Sequence, residues 1–420
     1  MTSAVVRPAT SRFRWVICGL LFFATLIAYV DRGVLAFLEK TLEGIIGWDS
    51  RQYGYMTAAF QAAYAIGLLC AGRLTDRLGT RKAFAYAIVL WSIAAMTPGM
   101  AVSPLTFGVA MFFLGLGEAA NFPACIKTVA EWFPARERAY ATGLFNSGSN
   151  LGAMVVPVVV PFLYYAFGWR GAFVATGCSG FVWLIFWLWL YRKPAEHPMV
   201  SASELALIRS DPPERTTSVP WAQLFPLRET WAFAVAKFFT DPVWWFYLFW
   251  LPRYVAETFH LTLGKTSAPI LTVYAASCFG SVGGGWLSSA LIKRGKSINM
   301  ARKTTMLICA LAVIPVLYAP YAHNLWVLVA VVGLAMAAHQ GWSANAFTLP
   351  SDLFPRSAVG SVVGIGGMAG AIGGVAMQLS AGYIARYTYL PLFLFSGSAY
   401  LVALAIVHLL SPKLRPAKLD

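Results

Sequence analysis

Residues 111–150 have the sequence MFFLGLGEAANFPACIKTVAEWFPARERAYATGLFNSGSN, an apolar helical pattern that contains charged side chains and then breaks. Glu118 and Lys127 lie within the apolar part, and the break is the basic turn Phe133-Pro134-Ala135-Arg136. An ionised carboxylate inside about 20 apolar residues costs several kcal/mol unless it is paired, protonated or hydrated. The stretch therefore predicts a membrane-spanning helix in which Glu118 has a function.

The composition of the whole chain extends this prediction. Of its 420 residues, 59% are hydrophobic and only 12% are charged, whereas charged residues approach about a quarter of a soluble protein. Apolar segments of roughly 20 residues recur along the chain, long enough to cross about 30 Å of hydrocarbon as helices. A transmembrane β-barrel would instead show alternation in segments of about 10 residues. The chain is therefore predicted to be an all-α polytopic membrane protein.

Twelve transmembrane helices are predicted, which we number as spans 1 to 12. They cover residues 14–38, 52–73, 82–101, 104–128, 138–166, 169–191, 231–256, 263–291, 302–321, 324–348, 357–384 and 389–410. With the N-terminus inside, most of the 32 lysines and arginines fall in cytoplasmic segments, as the positive-inside rule requires. We therefore expect a multi-pass protein of the inner (plasma) membrane with cytoplasmic N- and C-termini. The net charge of +15 then reflects topology, and no nucleic-acid partner is expected.

One long polar stretch interrupts the spans. Residues 193–230 contain several prolines and are predicted to form a cytoplasmic linker between an N-terminal six-helix bundle, 1–192, and a C-terminal one, 231–420. A constant shift of 221 residues relates Phe133, Pro134, Gly143 and Gly152 to Phe354, Pro355, Gly364 and Gly373. This repeat indicates two pseudo-symmetric bundles, an arrangement in which transporters bind substrate between the halves near the membrane midplane.

The turn between spans 2 and 3 has a specific pattern of glycine and charge. Its sequence is Gly72-Arg73-Leu74-Thr75-Asp76-Arg77-Leu78-Gly79-Thr80-Arg81-Lys82. Asp76 can accept hydrogen bonds from helix N-terminal amides or from arginines of neighbouring loops. We expect Asp76, Arg77 and Arg136 to form a charged latch that closes the cytoplasmic side. The alternative is an ordinary basic loop.

This turn resembles the signature of the major facilitator superfamily, G-x-L-x-D-R-x-G-R-R/K, from which only Thr80 departs. Three further motifs narrow the resemblance, over essentially the whole chain, to the anion:cation symporter family and its bacterial hexuronate and sugar-acid branch, which includes galactonate-type transporters. They are Tyr29-Val30-Asp31-Arg32, Gly117-Glu118-Ala119 and Glu131-Trp132-Phe133-Pro134-Ala135-Arg136-Glu137-Arg138. The resemblance implies that Arg32 binds a substrate carboxylate and that Asp31 and Glu118 couple protons. Many relatives carry an arginine seven residues before the glutamate, where this chain has Met111.

Three basic side chains lie within the predicted spans, and each has an alternative role. Arg32 either binds substrate or forms a structural ion pair with an acidic residue. Lys237 either supplies a second cation for the substrate or pairs with Asp241, one helical turn along. Lys127 is expected to extend its side chain to the membrane interface, and its alternative is a role in binding substrate. A rise of about 1.5 Å per residue places Asp31 and Glu118 at different depths, which favours a proton path over a shared pair.

Other polar and aromatic side chains could recognise the hydroxyl groups of a sugar. The candidates are Tyr29, Tyr64, Asn146, Asn150, His339, Gln340, Trp342 and Asn345, with Trp244, Trp245 and Trp250 as stacking faces. His339 could equally form a helix-to-helix hydrogen bond. The six cysteines lie in apolar segments without metal-ligand spacing, so they are predicted to be packing residues. We expect no bound metal and no cofactor.

These patterns predict a secondary active transporter that imports a monovalent sugar acid, a hexuronate or an aldonate, by proton symport through alternating access. We expect a monomer that binds a small organic anion and protons. An importer of another organic anion, aromatic or dicarboxylic, is the alternative. A drug/proton antiporter is disfavoured because span 5 lacks the pattern G-x-x-x-G-P-x-x-G-G, and an enzyme because no nucleophile, metal or carboxylate cluster is predicted at one depth.

Overall fold

The structure of the protein is a computed structural model that describes residues 12–210, 219–414 and 417. Within these ranges only the backbone is described at residues 72, 73, 76, 135, 136, 139, 356 and 357. The side chains of Asp76 and Arg136, two of the three predicted gating residues, therefore lie outside the described residues.

The regular elements of the described ranges are all helices. Before the predicted linker they are α1 (Phe13–Ile46), α2 (Ser50–Leu78), α3 (Thr80–Met96), α4 (Pro104–Glu118), α5 (Asn121–Trp132) and α6 (Ala135–Leu190). Two short helices follow, α7 (Ala202–Ile208) and α8 (Trp221–Leu224). The remainder are α9 (Arg228–Thr258), α10 (Leu263–Lys293), α11 (Ile298–Val313), α12 (Leu325–Ala346), α13 (Leu349–Leu353), α14 (Arg356–Ile384) and α15 (Leu390–Leu410). Short 3₁₀ segments cover Thr97–Met100, Pro194–Glu196 and Ile314–Tyr321.

Twelve membrane crossings follow from these helices, and the predicted fold class is confirmed. Ten segments of the described chain are long and apolar enough to cross a membrane. One of them, Tyr140–Leu190, makes two crossings, because α6 bends at Gly168, whose φ of 70° is left-handed. A further crossing is α9, whose apolar sequence is interrupted by Lys237, Asp241 and Arg253. Because α9 is buried by its neighbours along most of its length, these charges face protein groups.

The fourth span of each half is interrupted, which the sequence analysis does not predict. An unbroken helix is expected over 104–128, but α4 ends at Glu118 and α5 begins at Asn121. In a continuous helix the ring of Pro123 would clash with the carbonyl group four residues earlier. Pro350 has the same effect between α12 and α13. The two halves therefore share a helix break as well as their sequence repeat.

α1 is about two turns longer than predicted. It continues to Ile46 and ends at Gly47, which has a left-handed φ of 85°. The charges of Glu39, Lys40 and Glu43 limit the predicted span. In the folded protein these side chains form ion pairs, so that the helix extends through them.

The two halves use the same helix pairings. α1 packs on α6 and α2 on α4, and in the second half α9 packs on α14 and α10 on α12. Between the halves, α2 packs on α14, α6 on α10 and α1 on α9. At the α2–α14 crossing, a Cβ atom on Gly54 would lie 2.7 Å from the Cα atom of Gly382, so this approach requires glycine. The boundaries of the bundles and linker, 1–192, 193–230 and 231–420, remain predictions.

The short helix α7 is bound to the beginning of α1. The Glu204 carboxylate accepts hydrogen bonds from the backbone N–H groups of Phe13 at 3.2 Å and Arg14 at 3.1 Å, and from the Arg14 guanidinium group at 3.0 Å. Arg14 also pairs with Glu137 of α6 at 2.9 Å. We call the end of the bundle where α1 begins and α7 binds the linker side, and the opposite end the far side.

Candidate functional site

Arg32 of α1 lies within an aromatic cage. The centre of its guanidinium group is 4.3 Å from the ring of Tyr29, 5.2 Å from Phe60, 5.6 Å from Tyr64 and 5.4 Å from Trp245. The side chain of Arg32 is only 3% exposed. A desolvated cation–π contact contributes up to about 2 kcal/mol. Because Trp245 belongs to α9 and the other rings belong to α1 and α2, the cage is built by both halves.

Arg32 forms a buried ion pair with Glu118, at the end of α4. Its Nη2 group donates to Glu118 Oε2, and its Nε group donates to the carbonyl of Ala28 at 3.3 Å. Glu118 is fully buried, and its Oε1 atom has no hydrogen-bond partner in the part of the chain that the structure describes. A structural ion pair of Arg32 with an acidic residue is the predicted alternative to substrate binding, and the structure identifies Glu118 as the partner. A ligand carboxylate must therefore compete with Glu118 for Arg32.

Asp31 is the neighbour of Arg32 on α1, with a buried side chain. Neither of its carboxylate oxygens accepts a well-formed hydrogen bond from the described residues, and the hydroxyl group that acts on it is that of Thr176 of α6. The charged groups that act on it are Glu118 and Arg32. Glu118 reaches the guanidinium group of the residue next to Asp31, so the two carboxylates act at one level of the bundle. The expectation that they lie at different depths is wrong.

A second buried ion pair belongs to the C-terminal half. Lys237 Nζ lies 2.8 Å from Asp241 Oδ1, one turn along α9, and 4.1 Å from the centre of the Phe347 ring. The side chains of Lys237 and Asp241 are 8% and 20% exposed. A Cβ atom at Gly370 of α14 would lie 2.2 Å from Asp241 Oδ2, so only glycine leaves room for this carboxylate. The pairing was one of the two alternatives that the sequence analysis gives for Lys237.

Aromatic and imidazole rings connect the two ion pairs. Tyr29 lies 6.5 Å from Trp244 of α9, measured between ring centres. Trp244 is stacked on His339 of α12, with ring centres 5.5 Å apart and planes at 14°. His339 Nδ1 lies 2.6 Å from the hydroxyl oxygen of Tyr400, on α15. His339 thus forms the helix-to-helix hydrogen bond that is one of its predicted alternatives, and it also lines the aromatic wall.

Two predicted amide side chains meet across the halves. Gln340 Nε2 of α12 donates to Asn150 Oδ1 of α6 at 2.8 Å. Both side chains are half-buried, and Asn146, one turn earlier on α6, is exposed. Tyr64, whose ring belongs to the cage around Arg32, adds a hydroxyl group to these amide side chains. Hydroxyl and amide groups of this kind can bind the hydroxyl groups of a sugar.

The structure does not place Trp342 and Asn345 with the polar side chains of Tyr64, Asn150 and Gln340. Asn345 Nδ2 donates to the carbonyl groups of Gly284 at 3.1 Å and Gly341 at 2.9 Å, so it joins α10 to α12. The fully buried indole ring of Trp342 packs edge-on against Tyr400, 5.5 Å between centres. Both side chains are engaged in helix packing, and we leave them out of the site.

The predicted latch lies on the linker side. Arg77 is exposed at the end of α2. Nearby, the Thr80 hydroxyl donates to Glu131 at 2.7 Å, and the Tyr191 hydroxyl donates to the other oxygen of Glu131. Lys127 donates to the Thr75 carbonyl at 3.0 Å, toward the end of α2. The latch of Asp76, Arg77 and Arg136 stays a prediction.

A charged group on the far side was missed by the sequence analysis. We call it the far-side cluster, and it consists of Glu39, Lys40 and Glu43 of α1 with Arg253 and Glu257 of α9. Arg253, whose side chain is 4% exposed, pairs with Glu39, with Glu43 at 3.1 Å and with Glu257 at 2.9 Å. Lys40 pairs with Glu43 at 2.5 Å and with Glu257 at 3.0 Å. The cluster therefore ties the two halves together at this end.

A signal for the far-side cluster is present in the sequence. Glu39 and Glu43 are one turn apart on one helix, and Arg253 and Glu257 are one turn apart on another. Each pair lies at the end of its span, where charges are usually assigned to the surface. Only the packing of α1 on α9 shows that they are partners.

The central side chains are suited to binding an anion, because each cation there could exchange its protein carboxylate for a ligand carboxylate. Each half contributes one buried pair of a cation and a carboxylate, Arg32–Glu118 and Lys237–Asp241, and aromatic rings lie between the pairs. Among the described residues, no group of three or more His, Cys, Asp or Glu side chains could hold a metal ion. The central side chains offer ionic and hydrogen-bonding groups to a ligand.

Comparison with known families and sequences identifies relatives along nearly the whole chain. The family model of the Major Facilitator Superfamily matches residues 21–376. A probable galactarate/D-glucarate transporter of Bacillus subtilis (strain 168) is 30% identical, over 92% of this chain and 89% of the relative. The hexuronate transporter of Escherichia coli (strain K12) is 29% identical over 90% of both chains. A D-galactonate transporter of Escherichia coli O6:H1 is 27% identical over 95% of both.

Solved structures share the fold at lower identity. A D-xylose-proton symporter has a TM-score of 0.73 at 15% identity, covering 94% of this chain and 97% of its own. A bacterial homologue of the human lysosomal transporter Spinster, in an inward-facing and occupied conformation, has a TM-score of 0.72 at 16% identity, covering 96% and 98%. At these identities the likeness concerns the fold alone.

Proposed function

Because this chain belongs to the Major Facilitator Superfamily and is a membrane transporter, not an enzyme, we propose that it imports a sugar acid with protons by alternating access. The names of its relatives, which refer to galactarate, D-glucarate, hexuronate and D-galactonate, support a polyhydroxylated carboxylic acid as the substrate. We also propose that the protein is a monomer in the inner membrane with cytoplasmic termini. The far side is then the outer side.

The observation that carries this proposal is the caged guanidinium group of Arg32. A planar guanidinium fork can bind a carboxylate through two parallel hydrogen bonds. The rings of Tyr29, Tyr64 and Trp245 around it offer flat apolar faces to the C–H groups of a sugar chain. Asn150 and Gln340, from opposite halves, supply donors and acceptors for its hydroxyl groups. The site thus offers one partner for the carboxylate group of a sugar acid and several partners for its hydroxyl groups.

Competition between the substrate and Glu118 for Arg32 can couple substrate binding to proton uptake. When the substrate carboxylate binds Arg32, Glu118 loses its cation inside the bundle. Removing one partner of a buried ion pair costs about 3–5 kcal/mol, and protonation of the orphaned carboxylate avoids most of this cost. Met111 is buried on the same helix and supplies no second cation. Substrate binding therefore favours proton uptake by Glu118.

Asp31 is suited to pass that proton on. Its carboxylate is buried, and the groups that act on it are the hydroxyl group of Thr176 and the charges of Glu118 and Arg32. Asp31 would then hold a proton between transfers and relay it to Glu118, so that its own charge state is the same before and after each cycle.

Binding by the purified protein tests the proposal. We expect titration calorimetry to detect a hexuronate, an aldonate or a hexarate in the wild type and to detect none of them in Arg32→Ala. Arg32→Lys should also lose binding by at least about tenfold, because an ammonium group does not reproduce the bidentate fork. The matched control is Arg302→Lys, which alters the Arg302–Asp352 pair on the linker side. Wild-type affinity in Arg32→Lys, or preference for an aromatic acid over every sugar acid, would refute the proposal.

A further inference from the structure

We propose that the far-side cluster is a proton-binding site, separate from the central ion pairs, and that the bound proton holds the far side closed. The proton lies on the buried carboxylate of Glu39. It is taken up from water when the far side closes, and it is returned to the same side when the far side opens. The inference goes beyond the proposed function, because it concerns neither the substrate nor the proton that Glu118 exchanges.

The far-side cluster contains more carboxylates than cations. Its three carboxylates belong to Glu39, Glu43 and Glu257, and its two cations belong to Lys40 and Arg253. The ion pairs that the structure describes join these carboxylates to no other cation. One negative charge is therefore left over where α1 meets α9, and an uncompensated charge is costly in a buried place.

Glu39 is the carboxylate at which this excess charge is least favourable. Its side chain is fully buried, whereas the side chains of Glu43 and Glu257 are 21% and 26% exposed. The two donors that reach Glu39, Arg253 Nη1 and Trp48 Nε1, both donate to the same oxygen, Oε1. The other oxygen, Oε2, has no hydrogen-bond partner among the described residues. A proton on Oε2 leaves Oε1 free to accept both hydrogen bonds.

With Glu39 neutral, the other four side chains of the cluster form a balanced network. Arg253 pairs with Glu43 at 3.1 Å and with Glu257 at 2.9 Å. Lys40 pairs with the same two carboxylates, at 2.5 Å and 3.0 Å. Each cation therefore contacts each carboxylate, and two positive charges face two negative ones. Only Glu39 remains outside this network as a group that needs a proton.

The other titratable groups that act on Glu39 do not replace the proton. Beyond the cluster they are the phenol groups of Tyr53 of α2 and of Tyr389, which precedes α15. The Tyr53 hydroxyl donates to the carbonyl of Phe249 at 2.8 Å, and the Tyr389 hydroxyl donates to Glu257 at 3.0 Å. Both phenol groups are thus engaged with other acceptors, and neither supplies a positive charge.

A cavity beside the cluster gives protons a route from the far side. It has a volume of about 150 Å³ and lies between α1, α9 and the beginning of α10, with Lys40, Arg253 and Thr262 in its lining. A polar cavity of this size has room for water molecules. A proton can therefore reach the cluster without passing through the central site.

Proton binding and closure are linked, because the open arrangement does not need the proton. Opening separates α1 from α9 and exposes Glu39 to water, where a glutamate is ionised at neutral pH. The closed arrangement therefore binds one proton more than the open one, so that acid on the far side favours closure. As the pH rises, the ratio of closed to open molecules should fall by up to about tenfold per pH unit, until Glu39 is ionised in both arrangements.

Distances between the two halves, measured at different pH values, test this inference without substrate. Spin labels at Val102→Cys, between α3 and α4, and at Tyr387→Cys, between α14 and α15, report on the far side in a background without native cysteines. Both positions are largely exposed. We expect a short distance to dominate at about pH 5 and to be replaced by a longer one toward about pH 9. A distance distribution that is the same over this range would overturn the inference.

Variants of single carboxylates assign the pH dependence to a residue. In Glu39→Gln the amide oxygen can still accept from Arg253 and Trp48 but needs no proton, so the short distance should persist at alkaline pH. Glu118→Gln should retain the pH dependence, because Glu118 belongs to the central pair. Asp352→Asn, at an ion pair on the linker side, is the matched control and should retain it as well. Undiminished pH dependence in Glu39→Gln, or its loss in Glu118→Gln, would contradict the proposal.

Glu43→Gln tests the charge balance if Glu39→Gln does not fold. Glu43 is partly exposed, so that water can solvate the new amide group. The variant leaves two carboxylates and two cations, and its closed cluster is balanced without a proton even though Glu39 is unchanged. We therefore expect the short distance to persist at alkaline pH here too. If the pH dependence is undiminished, excess charge is not its cause and the inference fails.

The ratio of protons to substrate distinguishes this proton from a coupling proton. Because the proton of the far-side cluster returns to the side from which it came, Glu39→Gln should carry as many protons per substrate molecule as the wild type. A pH-sensitive dye and labelled substrate on proteoliposomes measure this ratio. A ratio lower by one would assign Glu39 to coupling and refute its role in closure. If no sugar acid binds, the proposed function fails, whereas the distance measurements still decide this inference.

Discussion

At the scale of single residues, Glu118 is the group whose charge must change during transport. It is fully buried, and its cation is Arg32. Glu118→Gln keeps the size of the side chain and an acceptor for Arg32, but it cannot take up or release a proton. We expect this variant to bind substrate and exchange it across proteoliposome membranes, and to lose accumulation driven by a pH gradient. Counterflow of labelled substrate and gradient-driven uptake, measured on the same vesicles, separate the two activities.

The control for Glu118→Gln is Asp352→Asn, which neutralises an acidic residue of an ion pair away from the cage. It should leave the coupling of substrate to protons intact. Accumulation by the Glu118 variant at wild-type levels would instead exclude Glu118 as the coupling group and make Asp31 the leading candidate.

Much of the candidate site could be predicted from the sequence, because a charged residue in an apolar helix is costly and so stands out. Arg32, Glu118 and Lys237 were found in this way. The pairing of Lys237 with Asp241 could be foreseen as well, since the two residues are one turn apart on one helix. The pairing of Arg32 with Glu118 could not, because it joins residues 86 positions apart on helices whose facing sides no periodicity specifies.

At the scale of helices, the α2–α14 crossing depends on glycine. A Cβ atom on Gly54 would lie 2.7 Å from Gly382 Cα and 2.9 Å from the Gln378 carbonyl oxygen. We expect Gly54→Ala to force the helices apart on the far side and to cost about 1–3 kcal/mol of stability. Thermal unfolding in detergent measures the loss, and the uptake rate should fall with it. Gly19→Ala is the control, because no atom lies within 4 Å of a Cβ at that position.

A thermal midpoint of Gly54→Ala equal to that of Gly19→Ala would show that the crossing can relax around the added methyl group. The nearby contact between the hydroxyl groups of Tyr55 and Tyr383 would then be one of the contacts that still join α2 to α14.

The existence of the helices was predictable from their length and apolar composition, whereas their ends and breaks were not. Charges at 39, 40 and 43 end a span that is predicted from hydropathy, yet α1 continues through them because α9 supplies their partners. Pro123 interrupts the fourth span within a segment that hydropathy predicts to be continuous. Hydropathy describes the cost of leaving water for lipid, and it contains no information about a partner helix or a backbone clash.

At the scale of the whole molecule, the far-side cluster holds the two halves together. Arg253→Gln leaves the buried Glu39 without its cation, which costs about 3–5 kcal/mol in the closed arrangement. We expect the far side to open in this variant. Spin labels at two exposed positions, Ile45→Cys and His260→Cys, in a background without native cysteines, should then show a longer distance between the halves. An unchanged distance distribution would show that the cluster does not hold this end closed.

The predicted latch on the linker side calls for a separate measurement. Asp76→Asn should lower the transport rate at saturating substrate and leave binding affinity unchanged, because the latch closes one side and does not touch the substrate. Rates and affinities measured on the same preparation distinguish these effects. A variant that transports at the wild-type rate would show that the latch is dispensable.

α7 is anchored to the N-terminal half through the contacts of Glu204 with Phe13 and Arg14. The chain can therefore be divided after Ser210 into two polypeptides without removing α7 from the helix that it caps. Since α2–α14, α6–α10 and α1–α9 contacts join the halves without help from the linker, fragments 1–210 and 211–420 produced together should associate in the membrane. The carrier would then be a heterodimer, and its subunit interface would be the path of the substrate.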